Sequence, residues 1–277
     1  MEKLALLSMN NITAVESIPN LSESKVSTMM NKIDIQASQF RNIKQFYYDF
    51  QKIQKDKQNI DNLMNSIETD SKNQFKIQEL SRLLAQYTYS FFEFVNFSQQ
   101  YVKKHTIANL NELLIKNQYD KFYEYRLAYS LGNYVKHVDK TIPLKDFYDE
   151  NSYNFYIPTD QLLEIDKHCK TKIEKVYKER DEVNLIDYLN TTLSCIKMQT
   201  MCITKQIFVD ENAGEYFQST DGFIAEYGFP CKFDFDDLDK GKVQLKSNDI
   251  LSLRLEVAKI VGEFGIADIK IHYKNGH

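Results

Sequence analysis

Tryptophan is absent from this chain, although tyrosine and phenylalanine occur 18 times each. Aromatic packing must therefore rest on single rings and on tyrosine hydroxyls that need partners when buried. Cysteine is scarce: Cys169, Cys195, Cys202 and Cys231 show no C-x-x-C spacing, and the only neighbouring histidine is the adjacent His168. That spacing gives no zinc pattern. Cys195 and Cys202, seven apart and so on one helical face, read as buried free thiols. There is no P-loop, no G-x-S-x-G and no HExxH, no internal repeat and no low-complexity tract, so neither a metal nor a cofactor is expected. No segment approaches the roughly 18 apolar residues of a membrane span. The opening "MEKLALLSMNN" has too short an apolar run for a signal-peptide core, so a cytoplasmic protein without a membrane partner is expected. Net charge is −4 and the isoelectric point is near 5.8, which gives no global pull toward nucleic acid. Any RNA contact must be local.

Glycine is nearly missing from the first three quarters of the chain. Seven of the eight glycines lie at position 214 or beyond, and only Gly132 precedes them. Composition changes near residue 210, since Val209 to Lys240 holds nine acidic residues against Lys232 and Lys240, a charge of −7 while the rest sums to +3. This reads as an acidic lobe poorly suited to phosphate contact.

What is present is helical periodicity. With 277 residues, 43% of them hydrophobic, a sizeable core is possible. Met30, Ile33, Ile43, Phe46, Phe50, Ile53, Ile60, Leu63, Met64 and Ile67 follow a helical pattern among Lys, Gln, Asn and Asp. Ser71 to Lys104 is the most apolar helix, carrying Leu80, Leu83, Leu84, Tyr87, Phe91, Phe94, Val95 and Tyr101, and should sit centrally in a bundle. Glu93, Asn96 and Gln100 ride on it at intervals of three and four, which reads as a solvated stripe. A further helix is expected from about Asn117 to Asp139, ending before Pro143. "DFYDENSYNFYIPTD" reads as a loop with a short strand at Phe155 to Ile157. One helix then starts at Pro158-Thr159-Asp160 and runs to about Lys178, and another runs from Leu185 to about Ile207. Residues 1–207 are thus expected to form a helical bundle, with 1–35 as an N-terminal arm or helix, and 208–277 an acidic C-terminal region. In that region Leu251, Leu253, Leu255 and Val257, and then Ile269, Ile271 and Tyr273, alternate with polar residues. Period two predicts strands, with one helix from Asp249 to Val261 as the competitor for the first set. The fold class is mainly α with a small C-terminal region of possible β content.

The helix from Asn117 carries the stretch that bears on function, Arg126 to His137, "RLAYSLGNYVKH". Leu127, Leu131, Tyr134 and Val138 form a stripe that should face the core. One residue earlier in phase, Arg126, Ser130, Asn133 and His137 form a second stripe, entirely polar.

"LGNYVKH" resembles the "LRNYxxH" signature of HEPN-domain proteins, a helical superfamily containing many metal-independent RNases. Asn133, Tyr134 and His137 match it, whereas Gly132 stands where the family places Arg. "NFYIPTDQLLE" (Asn154 to Glu164) and "DEVNLIDYLNTTLSCI" (Asp181 to Ile196) also look like segments that follow the signature, so the resemblance covers about residues 70 to 205. It implies RNA cleavage of a toxin or anti-phage type, in a homodimer that brings two motifs into one cleft. Such cleavage needs a base for the ribose 2′-OH and a cation for the charge on phosphorus. The resemblance makes His137 the base, Asn133 its orienting or phosphate-binding neighbour and Tyr134 a helper or stacking group, with Arg126 and Lys136 as RNA contacts. Arg126 lies about 16 Å from His137 along a helix axis, so it would serve a neighbouring subunit more readily than its own.

Gly132 then has three explanations: an inactivated family member, a deliberate disarming substitution, or a close helix crossing that excludes a side chain. A glycine inside a helix costs about 1 kcal/mol relative to alanine. On the first two explanations Gly132→Arg folds and restores cleavage. The rival classes are a non-catalytic HEPN-like binding or scaffold protein with a protein partner, and a regulatory subunit that senses a small ligand in the bundle cleft.

Overall fold

The computed structural model describes residues 2–8, 11–67, 74–105, 110–149, 152–165, 171–210, 212–234 and 240–267. In chain order the elements are β1 (Glu2–Ser8), β2 (Asn11–Ala14), α1 (Glu23–Asn65), α2 (Gln74–Lys104), a π-helical segment (Asn111–Lys116), α3 (Asn117–Lys121), α4 (Tyr123–His137), β3 (Lys145–Asp149), β4 (Ser152–Pro158), α5 (Thr159–Ile165), α6 (Thr171–Tyr177), β5 (Glu182–Asn184), α7 (Leu185–Lys205), a second π-helical segment (Gln206–Asp210), α8 (Ala213–Tyr227), β6 (Phe229–Asp234) and α9 (Lys240–Glu263). The fold is mainly α with a minor β component. It divides into two compact units, residues 48–202 and residues 1–47 with 203–277, the boundaries falling inside α1 and α7. Residues 1–47 thus group with residues 203–277.

In the 48–202 unit the apolar rhythm of α2 does what its spacing demands. Leu80, Leu84, Tyr87, Phe91, Phe94, Val95 and Tyr101 are all buried, and so are Tyr125, Leu127, Leu131 and Tyr134 of α4 and Tyr188, Leu189 and Ile196 of α7. Each such side chain contributes roughly 1.5–3 kcal/mol by leaving water. The tyrosine hydroxyls find partners inside: Tyr87 Oη meets Thr192 Oγ1 at 2.7 Å, Tyr188 Oη meets Thr88 Oγ1 at 2.8 Å, and Gln199 Nε2 donates to Tyr125 Oη at 2.9 Å and to Gln118 Oε1 at 2.7 Å. Desolvation pushes the Tyr87, Tyr125 and Tyr188 hydroxyl pKa values up, which keeps them neutral. Burial likewise pushes the Cys195 thiol up to about 12, leaving it unreactive. A three-stranded antiparallel sheet of order β3-β4-β5 flanks the helices. The strand expected at Phe155 to Ile157 is β4. Its partner β3 falls in a stretch expected to be loop, because "KDFYD" has no apolar alternation to announce it.

Among the described residues of this unit one carboxylate is buried. Asp56 is 8% exposed and accepts from Gln86 Nε2 and Ser90 Oγ, each at 3.2 Å. Desolvation outweighs these bonds and raises its pKa. The native state therefore holds the Asp56 proton to higher pH than the unfolded chain does. The stability it contributes is present below the ordinary carboxylate value and is lost as pH rises through the raised one. Asp56→Asn should remove that slope: in urea unfolding across the acid range, wild-type stability minus variant stability should fall as pH rises. A flat or rising difference would contradict the burial argument.

In the second unit β1 is the centre of an antiparallel sheet of order β2-β1-β6, with Ala5 opposite both Ala14 and Cys231. The short helix or arm expected here is instead a β-hairpin and a 3₁₀ turn at Val15–Ser17. The reason lies in the unbroken apolar run Leu4 to Leu7. Ala5 and Leu7 pack with Ile33, Phe229 and Ile250 on one face, while Leu6 packs with Val15, Val26 and Phe223 on the other. A strand covered on both faces shows no alternation. Gly228, at φ +99°, makes the turn from α8 into β6, and a Cβ there would lie 2.7 Å from Leu7 O.

The strand expected at Leu251 to Val257 is helix α9. Ser247, Ile250, Leu253, Arg254, Val257, Ile260 and Val261 are buried along it, a three-and-four spacing that the period-two leucines obscure. The competing helix is the correct one. The second expected strand, Ile269 to Tyr273, lies outside the described residues, as do His168 and Cys169.

Candidate functional site

The polar stripe of α4 does not converge on one point. The helix expected from Asn117 to Asp139 is interrupted at Phe122, which is extended (φ −107°, ψ 117°) and leaves the last carbonyls of α3 without helical donors. Arg126 Nη1 fills that gap, donating to Tyr119 O at 3.0 Å and Asp120 O at 2.9 Å, while Nη2 pairs with Glu179 at 2.5 Å. The guanidinium expected to contact RNA thus caps a helix end. Ser130 is buried at 2% exposure, Asn133 is half-buried with Nδ2 donating to Tyr129 O at 3.3 Å, and His137 is exposed with no side-chain hydrogen bond among the described residues.

Tyr134 and Val138 differ from their expected settings. Tyr134 is 2% exposed, so it is a core ring and not a stacking surface. Val138, expected in the buried stripe, lies just past the helix end and is 48% exposed. Lys136 is exposed, its ammonium 5.9 Å from the Phe92 ring centroid. On α2, Glu93 and Gln100 are solvated, and Asn96 Oδ1 accepts from Tyr129 Oη at 3.2 Å.

Gly132 is the clearest correction. It is buried where α4 crosses α2, and an ideal Cβ there would lie 2.3 Å from Phe92 Cβ, 2.6 Å from Cγ and 2.9 Å from Cδ2. No side chain fits without moving a helix. Of the three explanations for this glycine, the close crossing is the one the geometry gives, and an Arg at 132 is not an exposed replacement.

A different feature of the same unit gathers charge. A cleft of about 1000 Å³ opens among the end of α2, the first π-helical segment, α3, α4 and α6, walled by Lys103, Lys116, Arg126, Lys172, Lys175 and Glu179 with Tyr119 and Tyr129. Among the described residues of the wall five cations face one acid, although residues 48–202 as a whole hold 21 basic and 22 acidic side chains. Lys116 pairs with Glu112 at 2.9 Å, whereas Lys103, Lys172 and Lys175 have no ion partner among the described residues. Tyr119 and Tyr129 meet edge to face, centroids 6.3 Å apart at 84°, and desolvation raises both hydroxyl pKa values. Sequence reasoning missed this site. Its one legible signal was the lysine spacing in "KTKIEKVYK", which places Lys172 and Lys175 on one side of a helix.

Among the described residues no three His, Cys, Asp or Glu side chains gather in a way that could hold a metal ion, and no helix is long and apolar enough to cross a membrane. No protein-family model matches the chain, and neither does any curated protein or solved structure. The HEPN resemblance therefore rests on the motif residues and on the two segments that follow them, Asn154 to Glu164 and Asp181 to Ile196.

Proposed function

We propose that the chain is a non-catalytic, HEPN-like helical-bundle binding protein. The observation that carries this is the contact at Gly132: the position that would supply the phosphate-binding guanidinium is filled by Phe92. A cation at that point would be the main stabiliser of charge in the transition state, and one such group is worth several kcal/mol. Arg126 does not replace it, because its guanidinium already serves three oxygens of its own unit. His137 is left as an exposed imidazole at a helix C-terminus, a place that favours a cationic side chain with no catalytic role. The binding reading also needs no composite site, so it sets no requirement for a homodimer.

The test is incubation of the purified chain with cellular tRNA and mRNA in EDTA. Wild type and His137→Ala should leave the RNA equally intact, and the substitution should change stability by less than about 0.5 kcal/mol, as for an exposed residue without partners. Cleavage that persists in EDTA and disappears in His137→Ala would restore the nuclease.

A further inference from the structure

We propose that the basic cleft of the 48–202 unit receives an acidic amphipathic helix of a protein partner, whose carboxylates recur every three or four residues with apolar side chains between them. This deepens the binding reading above and rests on it only in treating the chain as a binder.

Lys103 at the end of α2, Lys116 on the first π-helical segment, Arg126 on α4 and Lys172 and Lys175 on α6 come from four separate elements, yet they line one concavity. A concave wall of one sign focuses the field and draws in the opposite charge. Lys172 and Lys175 stand three residues apart on α6, and acids three or four apart on a facing helix present their charges at the same interval. The spacing on one side thus suits the spacing on the other.

Arg126 already holds one carboxylate, and holds it incompletely. Its Nη1 is spent on Tyr119 O and Asp120 O and its Nη2 meets Glu179 Oε2 at 2.5 Å, but its Nε is buried without a hydrogen-bond partner. Buried donors are almost always paired, and a charged one left without an acceptor calls for an explanation. Nε and Nη2 lie on one edge of the guanidinium and match the two oxygens of a carboxylate, of which Glu179 supplies one from a side chain that is 41% exposed. A partner carboxylate that displaces Glu179 seats both.

A phosphate fits the same fork, so the rest of the wall separates the two anions. Tyr129 packs against Phe92, centroids 5.1 Å apart, and edge to face against Tyr119, which in turn meets Tyr125 at 86°. A nucleic-acid base needs a ring face on which to stack. Each of these rings already packs against two others of the protein's own aromatic cluster. Val102, Ile115 and Val176 also line the cleft, and apolar groups between cations suit the apolar face of an amphipathic helix better than a run of phosphates. A helix about 11 Å across fills the cleft's volume of about 1000 Å³ in about two turns.

The probe is a capped, alanine-based peptide of about 15 residues, long enough for an isolated helix to begin to form, with glutamates at intervals of three and four and leucines between them on the same face. Its binding to the full chain would be measured by fluorescence anisotropy, beside a peptide with alanine for each leucine and an oligouridylate of equal charge. The acidic peptide should bind with a Kd below about 100 μM, and the alanine version about tenfold more weakly. Lys172→Glu with Lys175→Glu should weaken binding of the acidic peptide by about tenfold, and Lys103→Glu, on a different helix, by about threefold. Glu179→Gln should tighten it by about threefold, since it removes the competing charge and keeps an oxygen for Arg126. Lys197→Glu, exposed and outside the cleft, should change nothing. All five positions are exposed, so each variant should keep the wild-type circular dichroism spectrum. Peptide binding that is absent below 100 μM, or equal in the lysine reversals and in Lys197→Glu, would overturn the proposal. So would oligouridylate binding more tightly than the peptide and lost in the double reversal, which would make the cleft a nucleic-acid surface. None of these results touches the RNA-integrity test, so loss of the docking site and loss of the non-catalytic reading remain separate findings.

Discussion

Replacing Gly132 with arginine should unfold the 48–202 unit and create no nuclease. The nearest neighbour of an added Cβ is the Cβ of Phe92 at 2.3 Å, an atom fixed to the α2 backbone. Even Gly132→Ala therefore has to push α4 away from α2. The gain in helix propensity, about 1 kcal/mol, is outweighed by the 1–3 kcal/mol typical of overpacking. Arginine adds a long charged side chain at a buried crossing, and a loss of about 4 kcal/mol or more is expected. Phe92→Ala should not rescue either variant, because alanine keeps the offending atom. Gly222 of α8 is a contrasting control: nothing lies within 4 Å of its built Cβ, so Gly222→Ala should leave stability unchanged or raise it by up to about 1 kcal/mol. Denaturant midpoints read by circular dichroism would decide. A Gly132→Arg protein that folds with a wild-type midpoint would contradict the crossing geometry, and one that also cut RNA in EDTA would restore the nuclease.

The lone glycine in the first 213 residues was thus a legible signal with an ambiguous cause. The same spelling suits a missing guanidinium and a close helix crossing, and only the position of Phe92, forty residues earlier in the chain, separates them. Helices α2 and α7 were readable because their apolar residues keep a 3.6-residue rhythm and their partners are again helices. β1 was not, since its ladder partner β6 lies more than 200 residues away and both of its faces are covered. In α9 the alternation of Leu251, Leu253 and Leu255 imitates a strand. The true phase runs through Arg254, a residue that any polarity pattern sends to solvent. The cleft was hidden for a further reason: its lysines share no motif and meet only because α6 packs near α4. Position in space, not spacing in sequence, brings them together.

Arg254 carries the second large effect, in the unit formed by residues 1–47 and 203–277. It is 2% exposed and joins α1, α8 and α9: Nη1 donates to Gln36 Oε1 at 2.9 Å and Thr220 Oγ1 at 2.7 Å, and Nη2 donates to Phe217 O at 3.1 Å and Asp221 Oδ1 at 3.2 Å. Its guanidinium carbon also lies 4.4 Å from the Phe217 ring centroid. A buried cation is tolerable only when its donors are satisfied this fully. Arg254→Ala should cost about 3–5 kcal/mol, from the cavity and from acceptors left unpaired. Lysine keeps the charge but not the planar fork, so Arg254→Lys should also be clearly destabilised. Arg254→Met should lie below Arg254→Ala in cost, because it refills most of the volume and brings no charge to bury. By contrast, the exposed Lys3–Glu16 pair, 2.8 Å apart, should yield less than about 1 kcal/mol on Lys3→Ala. Urea unfolding of the four variants tests the order. If Arg254→Ala unfolds at the wild-type midpoint, Arg254 is not the pin that holds α1, α8 and α9 together.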